Sequence, residues 1–403
     1  MAHVIVVGGG PAGASLAFLL ADRGIDVTLL ERQRDFAREF RGEVLLSSGI
    51  SALEQLGLGS ALEETPRSEP ERIEFFFNRR RVIEVDAEPG FFRGRVPTAF
   101  SQPALLEAIV AEASKRPSFR FLRATTARDL LRDDSGRVVG VRAQSDEGSQ
   151  DLRGDLVVGA DGRASIVRKR GGLEATEQSP PMDVVWCKVA PLPGLRGAQV
   201  YLGRGHLAIV YRAWDGQTQV AWVILKGTFG ELRKQGIERW VEEMAAHVAP
   251  ELAAHLRAHA ADVRHPFLLD VESDRVKQWH APGLLVVGDA AHTMSPVGGQ
   301  GLNIALRDVI VAANHLVPAL LGGAEPTALD AASARIQAER MPEIETIQRF
   351  QAVPPRVVLA RAWWSEPLRR LLARLAGVRA FQSLALRRAD DFLFGIGDVQ
   401  LRV

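Results

Sequence analysis

The stretch HVIVVGGGPAGASLAFLLADRGIDVTLLE, His3 to Glu31, limits what this chain can become more than any other. His3 to Val7 is a short β-favouring run, Gly8 to Gly13 is glycine-rich, and Ala14 to Asp22 has helical character ended by Gly24. Val27 to Leu30 then makes a second strand that closes on an acid, Glu31. This is the logic of a nucleotide-binding βαβ unit. Gly8 permits the tight turn, Gly10 lets the backbone approach a pyrophosphate, and Gly13 lets the helix pack closely on the strand. Free N–H groups and the positive end of the helix dipole face the phosphates. Glu31, eighteen residues after Gly13, stands where a carboxylate accepts hydrogen bonds from ribose hydroxyls and disfavours a 2′-phosphate. A merely structural turn has no use for that acid. The motif asks for a dinucleotide and does not separate FAD from NAD.

The 403 residues exceed the usual single-domain size, so two domains or one elaborated domain are expected. With 46% apolar and 25% charged residues and a net charge of +1, the chain has no global bias toward nucleic acid. One cysteine, Cys187, excludes an internal disulfide and a cysteine-based metal cluster, and suits a reducing cytoplasm. The N-terminal apolar stretch lacks the basic flank of a signal peptide. No uninterrupted apolar run reaches the roughly 18 residues of a membrane span.

Further along, Ser47 reads as the cap of a helix through Leu56, and Arg72 to Phe77 with Arg81 to Val85 as a hairpin turned at Asn78-Arg79-Arg80. Ser101 precedes a helical pattern through Ala113. Phe119 to Arg123, Ala127 to Leu131 and Val138 to Ala143 look like a meander inserted into the α/β scheme. Val184 to Leu269 is dominated by alternating strands, with a hairpin signal at Asp215-Gly216-Gln217 and a helical return from Phe229 to His259. Alternation puts Leu207, Ile209 and Tyr211 on one face, and Ala208, Val210, Arg212 and Trp214 on the other, without saying which faces inward. The last sixty or so residues read as helix.

Two more apolar strands end in glycine and acid: DLVVGADGRASIVRKR from Asp155, and GLLVVGDAAHTMSPVGGQGLNIALRD from Gly283. Open α/β sheets bind ligands at the carboxyl ends of their strands, so three such ends could surround one extended cofactor. Together with GGGPAG, these motifs resemble the FAD-dependent aromatic hydroxylases, the single-component flavoprotein monooxygenases related to p-hydroxybenzoate hydroxylase. The resemblance spans residues 1 to about 310. It implies an α/β fold: a Rossmann-like FAD-binding domain interrupted by a β-rich substrate domain, with a C-terminal helical segment. Residues 1–72, 97–182 and 271–340 would form the first, 73–96 and 183–270 the second, and 341–403 the third.

Carried over residue by residue, the resemblance gives Gly8, Gly10 and Gly13 the FAD pyrophosphate, and Glu31 with the adjoining Arg32 the adenosine end. Arg41 would approach the diphosphate, and Gln102 would touch the cofactor from its helix. Asp161 resembles the acid linked to cofactor and NAD(P)H handling, and Asp289 would bind the ribityl chain. Pro296, Gly298, Gly299, Gln300, Gly301, Leu302 and Asn303 would border the isoalloxazine ring, with Pro296 and Gly298 nearest the chemistry. His292 would be scaffold.

No Ser/His/Asp triad, carboxylate pair or metal set is evident, which suits a cofactor that carries the chemistry. The family's reaction would then apply: NADH or NADPH reduces FAD transiently, O2 gives a C4a-hydroperoxide, and its distal oxygen passes to an electron-rich ring. Trp186, Tyr211, Trp214 and Trp222, with Arg204, His206 and Arg212 as polar handles, are candidates to meet a phenol, quinolone or polyketide-like substrate. Arg356 to Arg388 holds eight arginines and one acid, Glu366, among apolar residues at helical spacing. Packing over the pocket and peripheral contact with an anionic membrane both fit it. A monomer or homodimer is compatible with the sequence. Two rival functions stay open: an FAD-dependent reductase or dehydrogenase of a prenyl-type substrate, and a non-catalytic flavin-binding redox sensor. A halogenase is disfavoured, because QVAWVILKG stands where such enzymes carry Trp-x-Trp-x-Ile-Pro.

Overall fold

A computed structural model of the chain describes residues 2–37, 43–90, 92–178, 180–203, 205–358, 390 and 394–403. Its first layer is a six-stranded sheet. The strands His280–Ala281, Leu284–Val286, Leu156–Gly159, His3–Val7, Asp26–Leu30 and Phe119–Leu122 lie in that order. All pair in parallel except the short first one. Burial of the four central strands on both faces explains why they read as continuous apolar runs rather than alternating ones. Phe119–Leu122 belongs to this sheet, so the expected meander loses its first strand. The other two, Thr126–Arg132 and Val138–Ser145, form a separate antiparallel sheet with a further strand, Gly148–Arg153, that packs against it.

The Pro11–Asp22 helix returns along the parallel sheet, and it packs so closely that a Cβ on Gly13 would overlap the carbonyl oxygen of Gly8. Gly8 itself has φ +106° and touches Ala160 at the end of the neighbouring strand. Two strand ends therefore meet without a side chain between them.

The second layer is a seven-stranded sheet. It is ordered Arg264–Leu269, Met182–Val189, Thr218–Leu225, His206–Arg212, Gly197–Gly203, Arg72–Phe77 and Arg80–Asp86. The last two form the expected hairpin, turned through Asn78 and Arg79 at φ 46° and 68°, as a tight right-twisted turn requires. Trp222, Ala208, Tyr201 and Phe76 share the outer face, covered by the Ile237–Ala245 and Pro250–Ala258 helices. Trp186, Ala221, Ile209, Val200 and Phe75 share the inner face.

Ser101 caps the Gln102–Ala113 helix as its position suggests, its hydroxyl accepting from Ala104. Ser47 does not cap: the Ser47–Gln55 helix is preceded by Leu46, and the Ser47 hydroxyl donates to the Arg95 carbonyl. Helix Pro326–Val358 runs unbroken through residue 340, where a segment boundary was expected. Residues 359–389, with most of the arginine-rich tail, lie outside the described residues. The stretch Val297–Leu321 is long and apolar enough to cross a membrane by length and composition, but 72% of its most apolar window is buried inside the protein.

Helices Gln300–Leu321 and Pro326–Val358 are joined by a buried charge network. Arg340 donates through Nε to Asp308 Oδ1 at 2.7 Å and pairs with Glu343, which also holds Arg307 at 3.0 Å. Arg307 in turn donates to the carbonyls of Ile396 and Gly397, fixing the chain's end. Replacing Arg340 with methionine leaves two buried carboxylates short of a cation. A loss of about 3–5 kcal/mol is expected, read as a lowered urea midpoint.

Candidate functional site

The carboxyl ends of four parallel strands open on one cavity of about 920 Å3. Gly8 and Gly10 line it after the first strand, Glu31 and Arg32 after the second, Asp161 and Gly162 after Leu156–Gly159, and Asp289 after Leu284–Val286. The inner face of the seven-stranded sheet closes the far side with Trp186, Ile209, Tyr211, Val200 and Phe75. The cavity is thus polar and glycine-rich at one end and apolar at the other.

Glu31 is buried and accepts hydrogen bonds from the Gly9 and Gln33 amides, both at 2.9 Å, so its carboxylate is fixed at the strand end. Space beside Gly10 is open. Together with the Pro11–Asp22 helix N-terminus, this is a cradle that admits a pyrophosphate. Gly13 does not line the cavity and serves the helix packing already described. Arg41 lies outside the described residues.

Asp161 lines the cavity and also caps the next helix. Its Oδ2 accepts from the amides of Ile166 at 2.7 Å and Val167 at 3.2 Å, and Ser165 donates to Oδ1 at 2.5 Å. Burial pushes its carboxyl upward against these bonds.

The loop from Met294 to Leu302 forms the cavity's floor under the inner sheet face. Pro296, Gly298, Gly299, Gly301 and Leu302 line it, and Gly298 and Gly299 take φ values of 73° and 65° that favour glycine. Their backbone, with the N-terminus of the Gln300–Leu321 helix, is presented without intervening side chains. Gln300 and Asn303, expected to border the ring, are buried and do not line the cavity. Asn303 instead clamps the loop from behind: Oδ1 accepts from Leu46 at 2.9 Å and Nδ2 donates to the Gly299 carbonyl at 2.8 Å. Gln351 supports the same loop, donating to the carbonyls of Ser295 and Val297 at 2.8 and 2.9 Å. His292 is scaffold as expected, fully buried with Nε2 2.6 Å from Asp308.

Among the aromatic candidates, Trp186 and Tyr211 face the cavity, whereas Trp222 faces away and packs on Trp240 at 5.7 Å between ring centres. Trp222 is therefore no substrate contact; strand alternation puts it on the opposite surface from Trp186. Arg212 reaches the cavity rim and Gln102 its wall. Trp214 does not line it: its indole Nε1 donates to Glu43 at 3.0 Å, under the Lys188 ammonium at 5.1 Å. Arg204 lies outside the described residues, and His206 stacks on His247, away from the cavity lining.

Glu43 itself was not singled out by sequence. Nothing in the RGE tripeptide says that the acid will be buried against a strand more than a hundred residues away. Burial raises its carboxyl from 4.5 to about 7, opposed by hydrogen bonds from Trp214 and the Gln102 amide and by Lys188. The folded chain therefore holds a proton that the unfolded chain has released, and this contribution to stability is lost as pH rises from 4.5 through 7. Glu43→Gln, which does not ionise, should gain about 3 kcal/mol relative to wild type between roughly pH 5 and pH 8. Denaturant titrations at the two pH values measure it.

The three glycine-lined strand ends and the open cradle fit a dinucleotide laid from Glu31 to the Pro296 loop. The sequence family with the same plan is explicit: residues 1–346 match the FAD binding domain family, and the chain belongs to it. It is 32% identical to a 6-methylpretetramide 4-monooxygenase of Streptomyces rimosus, over 99% of this chain and 93% of that one. Among solved structures it is similar to p-nitrophenol 4-monooxygenase PnpA of Pseudomonas putida DLL-E4. That match has TM-score 0.82 and 19% identity, covering 99% and 100% of the two chains. It is also similar to Pseudomonas aeruginosa PqsL in complex with 2-aminobenzoylacetate, with TM-score 0.78 and 23% identity over 90% and 99%. The protein is an FAD-dependent monooxygenase of the aromatic hydroxylase type.

Proposed function

We propose that the protein hydroxylates a phenolic or polyketide-like aromatic, with NADH or NADPH as transient reductant and O2 as co-substrate. The observation that carries this reading is the placement of an apolar sheet face directly across the cavity from the glycine loop. Bound FAD, once reduced, supplies the activation of O2 and the transfer of one oxygen atom. The chain supplies position, electrostatics and exclusion of water.

Glu31 and the Gly8 to Gly10 backbone hold the adenosine and pyrophosphate end, and Asp289 the ribityl hydroxyls. The N-terminus of the Gln300–Leu321 helix and the loop amides favour negative charge on the reactive ring. Pro296 shapes the side where oxygen is transferred and keeps water from it. Trp186, Ile209 and Phe75 hold the substrate's rings by apolar contact, and Arg212 meets polar groups at the rim. The 32% identity to a polyketide monooxygenase supports a polycyclic substrate. We also propose the division into a discontinuous cofactor domain and an inserted sheet domain, with the Pro326–Val358 helix kept whole against the former. A cytoplasmic location fits the buried Cys187.

An NAD(P)H-oxidation screen over phenols, quinolones and polyketide aromatics, beginning with 6-methylpretetramide, tests the reading. Oxygen uptake and a product heavier by one oxygen atom are expected together. Stoichiometric substrate reduction without oxygen consumption would instead favour a reductase. Pro296→Gly should lower the fraction of NAD(P)H use coupled to product, and unchanged coupling would remove Pro296 from the oxygen-transfer side.

A further inference from the structure

Residues 395–403 run as an extended segment that pairs with no strand among the described residues. An extended backbone must still satisfy its N–H and C=O groups, and here side chains take the part of neighbouring strands. Gln55, the last residue of the Ser47–Gln55 helix, donates through Nε2 to the Val399 carbonyl at 3.3 Å and accepts from the Leu401 amide at 2.9 Å. Asn314, on the Gln300–Leu321 helix, donates through Nδ2 to the Gln400 carbonyl at 2.8 Å and accepts from the Arg402 amide at 2.8 Å. Successive residues of an extended chain turn their backbone groups to opposite sides, so the two side-chain amides grip opposite edges of the segment.

Its side chains alternate as well. Val399, Leu401 and Val403 pack against the core around the parallel sheet, while Gln400 and Arg402 are exposed. At the segment's start, Glu343 accepts from the Ile396 amide at 2.8 Å, and Arg307 donates to the Ile396 and Gly397 carbonyls at 3.0 and 3.1 Å. Gly395 holds φ +85°, and a Cβ there would come within 2.6 Å of the Arg307 guanidinium carbon. Arg23 donates to the Val403 carbonyl at 2.7 Å. Backbone edges, alternate apolar side chains and a glycine are thus all read, as in the recognition of a bound peptide.

The surface that reads them is tied to the cofactor site. Both helices that carry the gripping amides begin at the cavity, where Leu46 donates to Asn303. Glu343 and Arg307 belong to the buried network around Asp308.

We propose that these helices form a recognition groove for an extended peptide, with residues 395–403 as its occupant, and that a filled groove secures FAD by fixing the two helices that begin at the cavity. The contacts use only the segment's own backbone and side chains. A peptide of the same sequence therefore fits a groove that the segment has left. The coupling is reciprocal: whatever factor the occupant adds to FAD affinity, FAD adds to the occupant's.

The test uses the full chain loaded with FAD and carrying Val399→Asp with Leu401→Asp, which sets two carboxylates against the core and expels the segment. Flavin fluorescence on dilution should show the FAD Kd raised about tenfold. A synthetic peptide of residues 395–403 should bind this variant in a calorimetric titration and return the FAD Kd to the wild-type value. The same peptide with Gly395→Ala should bind about tenfold more weakly. Wild type, whose groove is already filled by a tethered segment, should show no uptake of peptide. Gln55→Ala with Asn314→Ala damages the groove instead, and should raise the FAD Kd with no rescue by peptide. If the aspartate variant does not fold, Gln55→Ala alone reads the coupling through faster hydrogen exchange at the Leu401 amide together with a raised FAD Kd. A vacated groove that takes up no peptide, or an FAD Kd unchanged once the segment is expelled or its grip loosened, would overturn the proposal.

Discussion

The Asp308 carboxylate is the point on which the site's geometry depends. It is fully buried in the Gln300–Leu321 helix, yet its two oxygens reach three separate parts of the chain. Oδ2 accepts from the Gly288 amide at 3.1 Å, where a parallel strand ends, and meets His292 at 2.6 Å. Oδ1 takes Arg340 from the following helix. Burial alone would push this carboxyl up, but His292 and Arg340 together outweigh it and hold it below the usual range. A charge in this position is stable only while all its partners are in place. The loop from Asp289 to Gly299 is thereby anchored at its beginning, and Asn303 and Gln351 fix its far part from behind.

A rigid floor matters because the roof comes from a different sheet. The seven-stranded sheet has two apolar faces with different fates: the outer one is sealed by helices, and the inner one lines the cavity. Val44 and Val297 pack against the inner-face cluster, so cofactor loop and substrate sheet share one small core. That shared core sets the distance across which an aromatic ring can sit. The same packing carries Glu43 and Trp214 into contact, although neither lines the cavity.

The parallel sheet was legible because its central strands are short apolar runs that end in glycine, an acid or both, and because the order strand, helix, strand is local. Glu31, Asp161 and Asp289 were found this way, since a strand end predicts where its acid must stand. The inner sheet face was not legible. Alternation sorts Ile209 and Tyr211 from Ala208 and Val210, but only the helices packed on Trp222 decide which set is covered. Glu43, Asn303 and Gln351 act through contacts distant in sequence, and no spacing rule marks them. Asn303 stood within a motif and so was assigned to the ring, when its amide in fact spans from Leu46 to Gly299. Phe119–Leu122 was misplaced for a related reason: a strand's sheet is chosen by its pairing partner, here Asp26–Leu30.

The central claim is that the flavin ring rests on the Pro296 to Leu302 loop and the substrate lies between it and the inner sheet face. A crystal structure of the FAD-loaded protein with a bound phenolic ligand tests this most directly. The account predicts the aromatic ring packed between the flavin and Ile209. A ligand on the Trp222 face, or a flavin ring turned away from the Pro296 loop, would contradict it.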